Sequence, residues 1–299
     1  MTTNADVASL VSRMQSPGTR TAAVVDEYYT RCIPFYREFL GNHWHTGYYR
    51  FDGPMGPQDQ LRMEQRIAES AGVSAASHVL DVGCGMGGPA CHLARLTGAR
   101  IRGLTPNAAQ LALARSLAAE QGVGDRVAFD QGEAGALPYP DNAFDAVLFF
   151  ESPCHFPDRQ QFFREAHRVL KPGGRLAGED WLAADGLNAA DADRFIRPIC
   201  ETWAIPELGT CTGYASGMAA AGLRVDEAVD LRAEMALLRG FLVDQSDREE
   251  VREEMERSSD PIRRIIMEGL LRLGEAAAAG AFTLGRFLAV KVVDTPPAQ

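Results

Sequence analysis

The sequence of 299 residues predicts an α/β fold with a mostly parallel sheet, and three observations carry that expectation. The first is residues 78–91, an apolar run ending in Asp81 that turns through Gly83, Gly85, Gly87 and Gly88 and then gains helical character over Cys91-His92-Leu93-Ala94-Arg95-Leu96. Strand, glycine-rich turn and helix in that order make a small-ligand site at the edge of a parallel sheet. Glycine lets the backbone turn tightly and a ligand approach closely, and the helix N-terminus adds free N–H groups and partial positive charge. The second is Ala146-Val147-Leu148-Phe149-Phe150, apolar throughout, as a central parallel strand covered on both faces must be. The third is the way such runs alternate with helical stretches along the chain.

The elements follow in order. Residues 1–20 are polar around Ser16-Pro17-Gly18 and read as a loose arm or a short helix. Residues 21–50 concentrate aromatics, histidines and hydroxyls, and read either as a packed N-terminal helix pair or as a lid over a site. Residues 59–72 have apolar positions near helical spacing and lead into the first strand at His78. Arg100–Pro106 is a second strand and its exit, Asn107–Gln121 an Ala- and Leu-rich helix, Arg126–Asp130 a third strand and Ala146–Phe150 a fourth. Arg159–Leu170 is amphipathic, with Phe162, Phe163, Ala166, Val169 and Leu170 on one side, and Lys171-Pro172-Gly173-Gly174 stops it. Arg175–Trp181 is a fifth strand and its exit. Asn188–Ala204 and Thr212–Ala221 read as inserted helices, Leu223–Val229 as a strand, 232–280 as mostly helical, and Phe282–Val292 as the closing strand. The expected organisation is therefore a helical lid over 1–72, a ligand-binding core over 73–181, and helical cap insertions with closing strands of the same domain over 182–299.

A net charge of −10 argues against a sequence-independent grip on nucleic acid or on an anionic membrane, since both need basic surface. Met1–Asp6 lacks the basic start and apolar core of a signal peptide, and no apolar run reaches membrane-spanning length. The six cysteines form no C-x-x-C pair, which leaves zinc or redox use without support and suggests reduced thiols in a cytoplasmic protein.

The glycine spacing points further. A dinucleotide fingerprint is G-x-G-x-x-G, whereas Asp81 to Gly87 spells D-x-G-x-G-x-G. This resembles the first motif of class I S-adenosylmethionine (SAM)-dependent methyltransferases, where the loop carries the methionine end of the cofactor and the acid helps to fix the loop. Ordinary members place an acid after the second strand. Here Thr105 and Gln110 stand in its place, which resembles the cyclopropane synthase, sterol and tocopherol methyltransferase branch, where a Thr and a Gln hold the ribose. A hydroxyl and an amide each donate and accept, so their chemistry suits that job; the alternative for Gln110 is a solvent-facing helical residue. Gly132-Glu133-Ala134 followed by Leu137-Pro138 resembles the adenine-side motif, with Glu133 in place of the usual aspartate. Glu151 to His155 resembles the E-x-x-x-H stretch of sterol and prenyl-diphosphate methyltransferases, and Arg168 to Gly174 the family's R-V-L-K-P-G-G turn. The resemblance covers residues 25–232 and the final strand.

It implies a Rossmann-like, mostly parallel seven-stranded sheet with a helical lid and helical insertions. SAM is the implied cofactor and S-adenosylhomocysteine the product. The implied cofactor contacts are Tyr29, Thr46, Asp81, Gly83, Cys84, Gly85, Gly87, Thr105, Gln110, Gly132, Glu133, Ala134 and Phe150. The implied chemistry is methyl transfer by direct displacement to a small-molecule acceptor of secondary metabolism, at carbon or nitrogen. SAM carries its own activation, so the protein must hold the acceptor in line, exclude water and manage one proton or cation, with no metal required. Glu151 is the expected base or cation stabiliser, His155 and His45 are candidate proton acceptors, and Tyr29 and Trp44 shape the pocket. The alternatives for Glu151 and His155 are a structural acid capping backbone N–H groups and a packing residue. Two other functions stay open: O-methylation with His155 as base, and a protein of this fold whose cofactor is structural, acting as a cyclase or binding module. A prenyl-diphosphate acceptor would need a basic pocket or a metal; Arg31, Arg37 and Arg50 read equally as contributors to such a pocket and as ordinary surface residues. No nucleic-acid partner is expected, and the N-terminal segment and the 232–280 helices read equally as lids or as a homodimer surface.

Overall fold

The protein's structure is a computed structural model that describes residues 4–16, 18–50, 56–233 and 245–292. Pro17 and the 234–244 part of the expected helical region lie outside the described residues. The helices that open the chain are α1 (Asn4–Gln15), α2 (Ala22–Leu40) and α3 (Gln58–Ser70). The core then alternates β1 (His78–Val82), α4 (Gly88–Thr97), β2 (Arg100–Thr105), α5 (Ala108–Glu120), β3 (Val127–Gln131), β4 (Phe144–Phe150), α6 (Arg159–Val169) and β5 (Leu170–Ala183). Short helices α7 (Ala189–Asp191) and α8 (Arg197–Thr202) flank a π-turn at Ala192–Ile196. They are followed by α9 (Cys211–Ala220), β6 (Leu223–Asp230), α10 (Gln245–Arg257), α11 (Pro261–Ala278) and β7 (Phe282–Lys291).

The seven strands form one sheet in the order β3-β2-β1-β4-β5-β7-β6, parallel except for β7, which runs antiparallel to both neighbours. Alternate residues of the inner strands feed two apolar layers. Val79, Ala146, Leu148 and Phe150 pack with α1 to α5 and α11, whereas Leu80, Val82, Val147 and Phe149 pack with α6 and α9. This is the period-two placement of side chains on a sheet covered on both faces. All six cysteines are free and buried. Among the described residues, no helix is long and apolar enough to cross a membrane.

Three local expectations change. Residues 21–50 hold one helix, α2, and Gly41–Arg50 is irregular; the second helix of the N-terminal pair is α1, from the stretch read as arm or short helix. The inserted helix expected over Asn188–Ala204 is broken in its middle by the π-turn. Helix α6 stops at Val169, ahead of Lys171–Gly174 as expected, but β5 begins at Leu170 instead of Arg175 and these four residues form an irregularity inside it. Phe144 pairs Leu170 and Ala146 pairs Arg175, so the four residues between bulge out, with Gly173 at φ 82°.

Candidate active site

The strand order reverses at β1 and β4, and a crevice opens beyond their carboxyl ends, where open α/β sheets bind ligands. The turn after β1 is tied to β2: the N–H groups of Gly83 and Cys84 both donate to the Leu104 carbonyl, at 2.8 and 3.0 Å. Gly83, Gly85 and Gly87 have φ of 78°, 52° and 81°, which glycine adopts without strain. Their surroundings differ. A Cβ on Gly83 would stand 2.3 Å from that of Ser152, while one on Gly85 would meet nothing within 4 Å. A Cβ on Gly87 would stand 2.5 Å from the Phe129 ring. Gly87, expected to touch cofactor, instead donates its N–H to the Cys84 carbonyl and lets Phe129 pack close, so it shapes the loop from behind.

The crevice is a cavity of about 310 Å³, lined among others by Tyr29, Trp44, Gly83, Gly85, Thr105, Gln110, Gly132, Glu133, Ala134, Phe150, Glu151 and His155. Thr105 Oγ1 donates to Gln110 Oε1 at 2.8 Å, so the strand end and the helix start share one polar unit. Asn107 caps α5 by accepting from the Gln110 N–H at 2.8 Å. Its side-chain N–H groups reach the Asp26 carbonyl (3.1 Å), Asp26 Oδ1 (2.9 Å) and Thr30 Oγ1 (2.7 Å), all on α2. A second cavity of about 130 Å³ adjoins the first, walled by Tyr36, Trp44, Tyr49, Trp181 and Trp203 with Leu40, Leu270 and Leu273. Tyr29, Trp44, Glu151 and His155 line both chambers. Thr46 and His45 line only the second of these two, whereas Asp81 and Cys84 line a small crevice behind the glycine turn, with His45 and Phe150 also on its wall.

Glu151 follows β4 with φ 49°, a left-handed backbone that costs a non-glycine residue roughly 1–3 kcal/mol and concentrates at functional sites. Its N–H donates to the Glu179 carbonyl at 2.9 Å, and its Oε1 accepts the Thr46 N–H at 2.8 Å. Burial raises its pKa above the usual carboxylate range, offset in part by the charge of His45 and the bonds from Thr46. Beside it lies Glu179, fully buried, with no hydrogen bond to either carboxyl oxygen. Burial and then the Glu151 charge push Glu179 well upward, while Nδ1 of His45 stands 3.7 Å from its Oε1. The 3-10 turn Pro153–His155 presents His155 to Tyr29, with Nε2 and the phenol oxygen 2.6 Å apart. Burial pushes His155 down to about 3, so the ring is neutral, and its Nδ1 is buried without a partner.

His45 is built differently from the expected free base. Nδ1 donates to the Thr46 carbonyl at 3.0 Å and Nε2 faces Glu64 Oε1 at 2.8 Å, so neither nitrogen is open to an acceptor molecule. Burial opposes its charge, yet the Glu64 hydrogen bond and charge outweigh burial and raise its pKa. Glu64 itself accepts from three imidazoles, and these bonds overcome burial to hold it far below the usual carboxylate range. Sequence reasoning passed over Glu64, Glu179, Ser152 and Asn107. Asn107 had a readable signal as an N-cap before an Ala-rich helix; the others are positioned only by the fold.

SAM needs a long cavity with polar groups at separated points and an acid near its cationic end. The cavity supplies the Thr105–Gln110 pair, Glu133 at the neighbouring exit of β3 and glycine backbone at the β1 turn. Asp81 adds a buried Oδ2 that no group of the chain satisfies, on a carboxyl that burial, and then the Glu64 charge, raise to about 7. These residues fit the cofactor.

A doubly covered sheet of this order, with a cavity at its switch point floored by a glycine turn, defines a Rossmann-like methyltransferase fold. Comparison with known proteins agrees. Residues 80–178 match a family model described as a methyltransferase domain. The chain is 37% identical over 209 residues to the methyltransferase GfsG of Streptomyces halstedii, covering 69% of this chain and 75% of that one. It is 36% identical over 179 residues to a sterol 24-C-methyltransferase of Yarrowia lipolytica, across 60% of this chain but only 46% of that enzyme. The crystal structure of the cyclase SpnF superposes with a TM-score of 0.77 at 27% identity, over 93% of this chain and 97% of that one. The chain belongs to the class I SAM-dependent methyltransferases. It is an enzyme of that class.

Proposed function

We propose that this enzyme moves a methyl group from the large cavity into the smaller aromatic chamber, onto a carbon or nitrogen of an apolar natural-product acceptor. One observation carries the reading: Tyr29, Trp44, Glu151 and His155 are the residues shared by both chambers, so an acceptor in one meets a cofactor in the other beside these four side chains. In this reading Thr105 and Gln110 hold the ribose and Glu133 with Gly132 and Ala134 meets the adenine. The backbone at Gly83 to Gly85 receives the methionine end, with Asp81 and Cys84 behind it. Tyr29, Thr46 and Phe150 complete the contacts, and α1 and α2, within the proposed lid 1–72, close over the mouth. SAM supplies a methyl on a positively charged sulfur.

Glu151 takes the acceptor's proton, or stabilises positive charge on a carbon acceptor. Its raised pKa brings it toward the range in which a general base works best at neutral pH. The Thr46 N–H fixes its orientation, and the raised pKa of Glu179 disfavours a second negative charge beside it. His45 positions Thr46 and exchanges no proton with the acceptor. The tryptophans and tyrosines of the second chamber exclude water and offer π-faces to a cation. The sterol relative's name, which specifies a carbon, supports the carbon acceptor. Six buried free thiols support a reducing, cytoplasmic setting.

A second reading is O-methylation with His155 as base. It draws on the neutral ring and its hydrogen bond to Tyr29. The test is transfer from labelled SAM to a panel of apolar alkenes, amines and alcohols, with products located by mass spectrometry. Carbon or nitrogen products, with a loss of about a hundredfold or more in Glu151→Gln, are expected. Oxygen products lost in His155→Asn but kept in Glu151→Gln move the base to His155. Cyclised acceptor without added methyl, formed only with cofactor bound, would replace both readings.

A further inference from the structure

We propose that His43, His45 and Glu64 form a binding site for one divalent transition-metal ion, of the zinc class, which clamps residues 42–46 onto α3. Nδ1 of His43, Nε2 of His45 and a Glu64 carboxylate oxygen all lie within 4.8 Å of one another. Both nitrogens converge on Glu64 Oε1, at 2.6 and 2.8 Å. Ligand atoms of a tetrahedral zinc ion with bonds of about 2.1 Å stand about 3.4 Å apart, so each nitrogen needs to move away from the carboxylate oxygen by about 0.6–0.8 Å.

The Thr46 carbonyl only accepts, so Nδ1 of His45 carries a hydrogen and Nε2 is the nitrogen turned to Glu64. The surroundings are those of metal ligands. His45 gives its second N–H to a backbone carbonyl, and Glu64 Oε2, the oxygen turned away from the triad, faces Nδ1 of His92 on α4. Two of the three proposed ligands are buried, while the His43 side chain is 23% exposed and gives the ion a way in. His43, Glu64 and His92 line neither chamber of the active site. The ion therefore acts through position: the segment it clamps carries Trp44, shared by both chambers, and Thr46, which holds Glu151.

The test uses tag-free full-length protein, stripped with chelator and titrated with Zn²⁺ against a chromophoric competitor. The expected result is about one equivalent taken up tightly, with release of protons. Co²⁺ in its place gives visible bands, and X-ray absorption on the zinc form shows imidazole nitrogen in the coordination sphere. His43→Asn, at the rim, lowers metal affinity at least tenfold while SAM affinity, measured on the same sample, shows that the fold persists. Uptake well below one equivalent, a coordination sphere without imidazole, or unchanged uptake in His43→Asn overturns the proposal and leaves an imidazole-carboxylate ion pair. None of these outcomes depends on which acceptor is methylated.

Discussion

Thr105 Oγ1 and Gln110 Oε1 are 2.8 Å apart across the turn from β2 to α5, and both residues are buried against the large cavity. Each fixes the other's rotamer, so the pair acts as one preformed recognition unit. Thr105→Val and Gln110→Leu should each weaken SAM binding by about tenfold, the worth of one net hydrogen bond. The double variant should lose less than the sum, because either change already frees the partner. Calorimetric titration of the four proteins checks this, and strict additivity would refute the coupling.

Glu179 is a fully buried acid whose pKa burial and the Glu151 charge raise well above the ordinary carboxylate range. Glu179→Gln replaces it with a neutral group of the same shape, so stability and methyl transfer should stay within about twofold of wild type. Glu179→Asp keeps the acid but leaves a gap and should destabilise by about 1 kcal/mol or more. A large fall in melting temperature for Glu179→Gln alone would mean that the group is ionised in the native protein.

Asp81 sets a pH dependence of stability. Its pKa is raised from an ordinary carboxylate value to about 7 in the folded chain. Between those values the native state holds a proton that the unfolded state has lost, so this contribution to stability falls as pH rises. The ligand-free protein should therefore lose melting temperature from pH 5 toward pH 7.5, and Asp81→Asn should flatten that slope. Scanning calorimetry of both proteins across this window gives the answer.

Asn107 joins α5 to α2 through one cap and three further bonds. Asn107→Ala should cost about 1–2 kcal/mol, as for a lost helix cap. Amide exchange should quicken in both α5 and Ala22–Leu40. Faster exchange confined to α5 would mean that the tie to α2 carries no load.

The parallel core was legible in the sequence because its signals are local. A buried strand must be apolar on both faces, and the turns that demand glycine show it at Gly83 and Gly85. The Thr105–Gln110 pair was singled out through the family resemblance; the hydrogen bond between the two side chains is what the fold adds. Glu64, by contrast, stands at a helical position that looks ordinary until His43, His45 and His92 converge on it from two other segments. Glu151 lines the cavity, but nothing in Phe-Glu-Ser-Pro announces its φ of 49°. The partners of both His45 ring nitrogens were not legible, because they are a property of tertiary neighbours. At Gly87 the Phe129 ring, distant in sequence, is what excludes a side chain.

The two acids Asp81 and Glu151 sit in low dielectric with more affinity for protons than free carboxyls have. A positively charged occupant of the crevice lets them ionise; a neutral one of nearly the same shape does not. The spent thioether is neutral and the sulfonium is not, so the pocket tells the two apart by charge as well as by a missing methyl. Binding of the sulfonium should then release protons while binding of the thioether does not, and the ratio of the two affinities should widen as the medium becomes more alkaline. The carboxyls would thereby act as an electrostatic ratchet that favours fresh cofactor over spent.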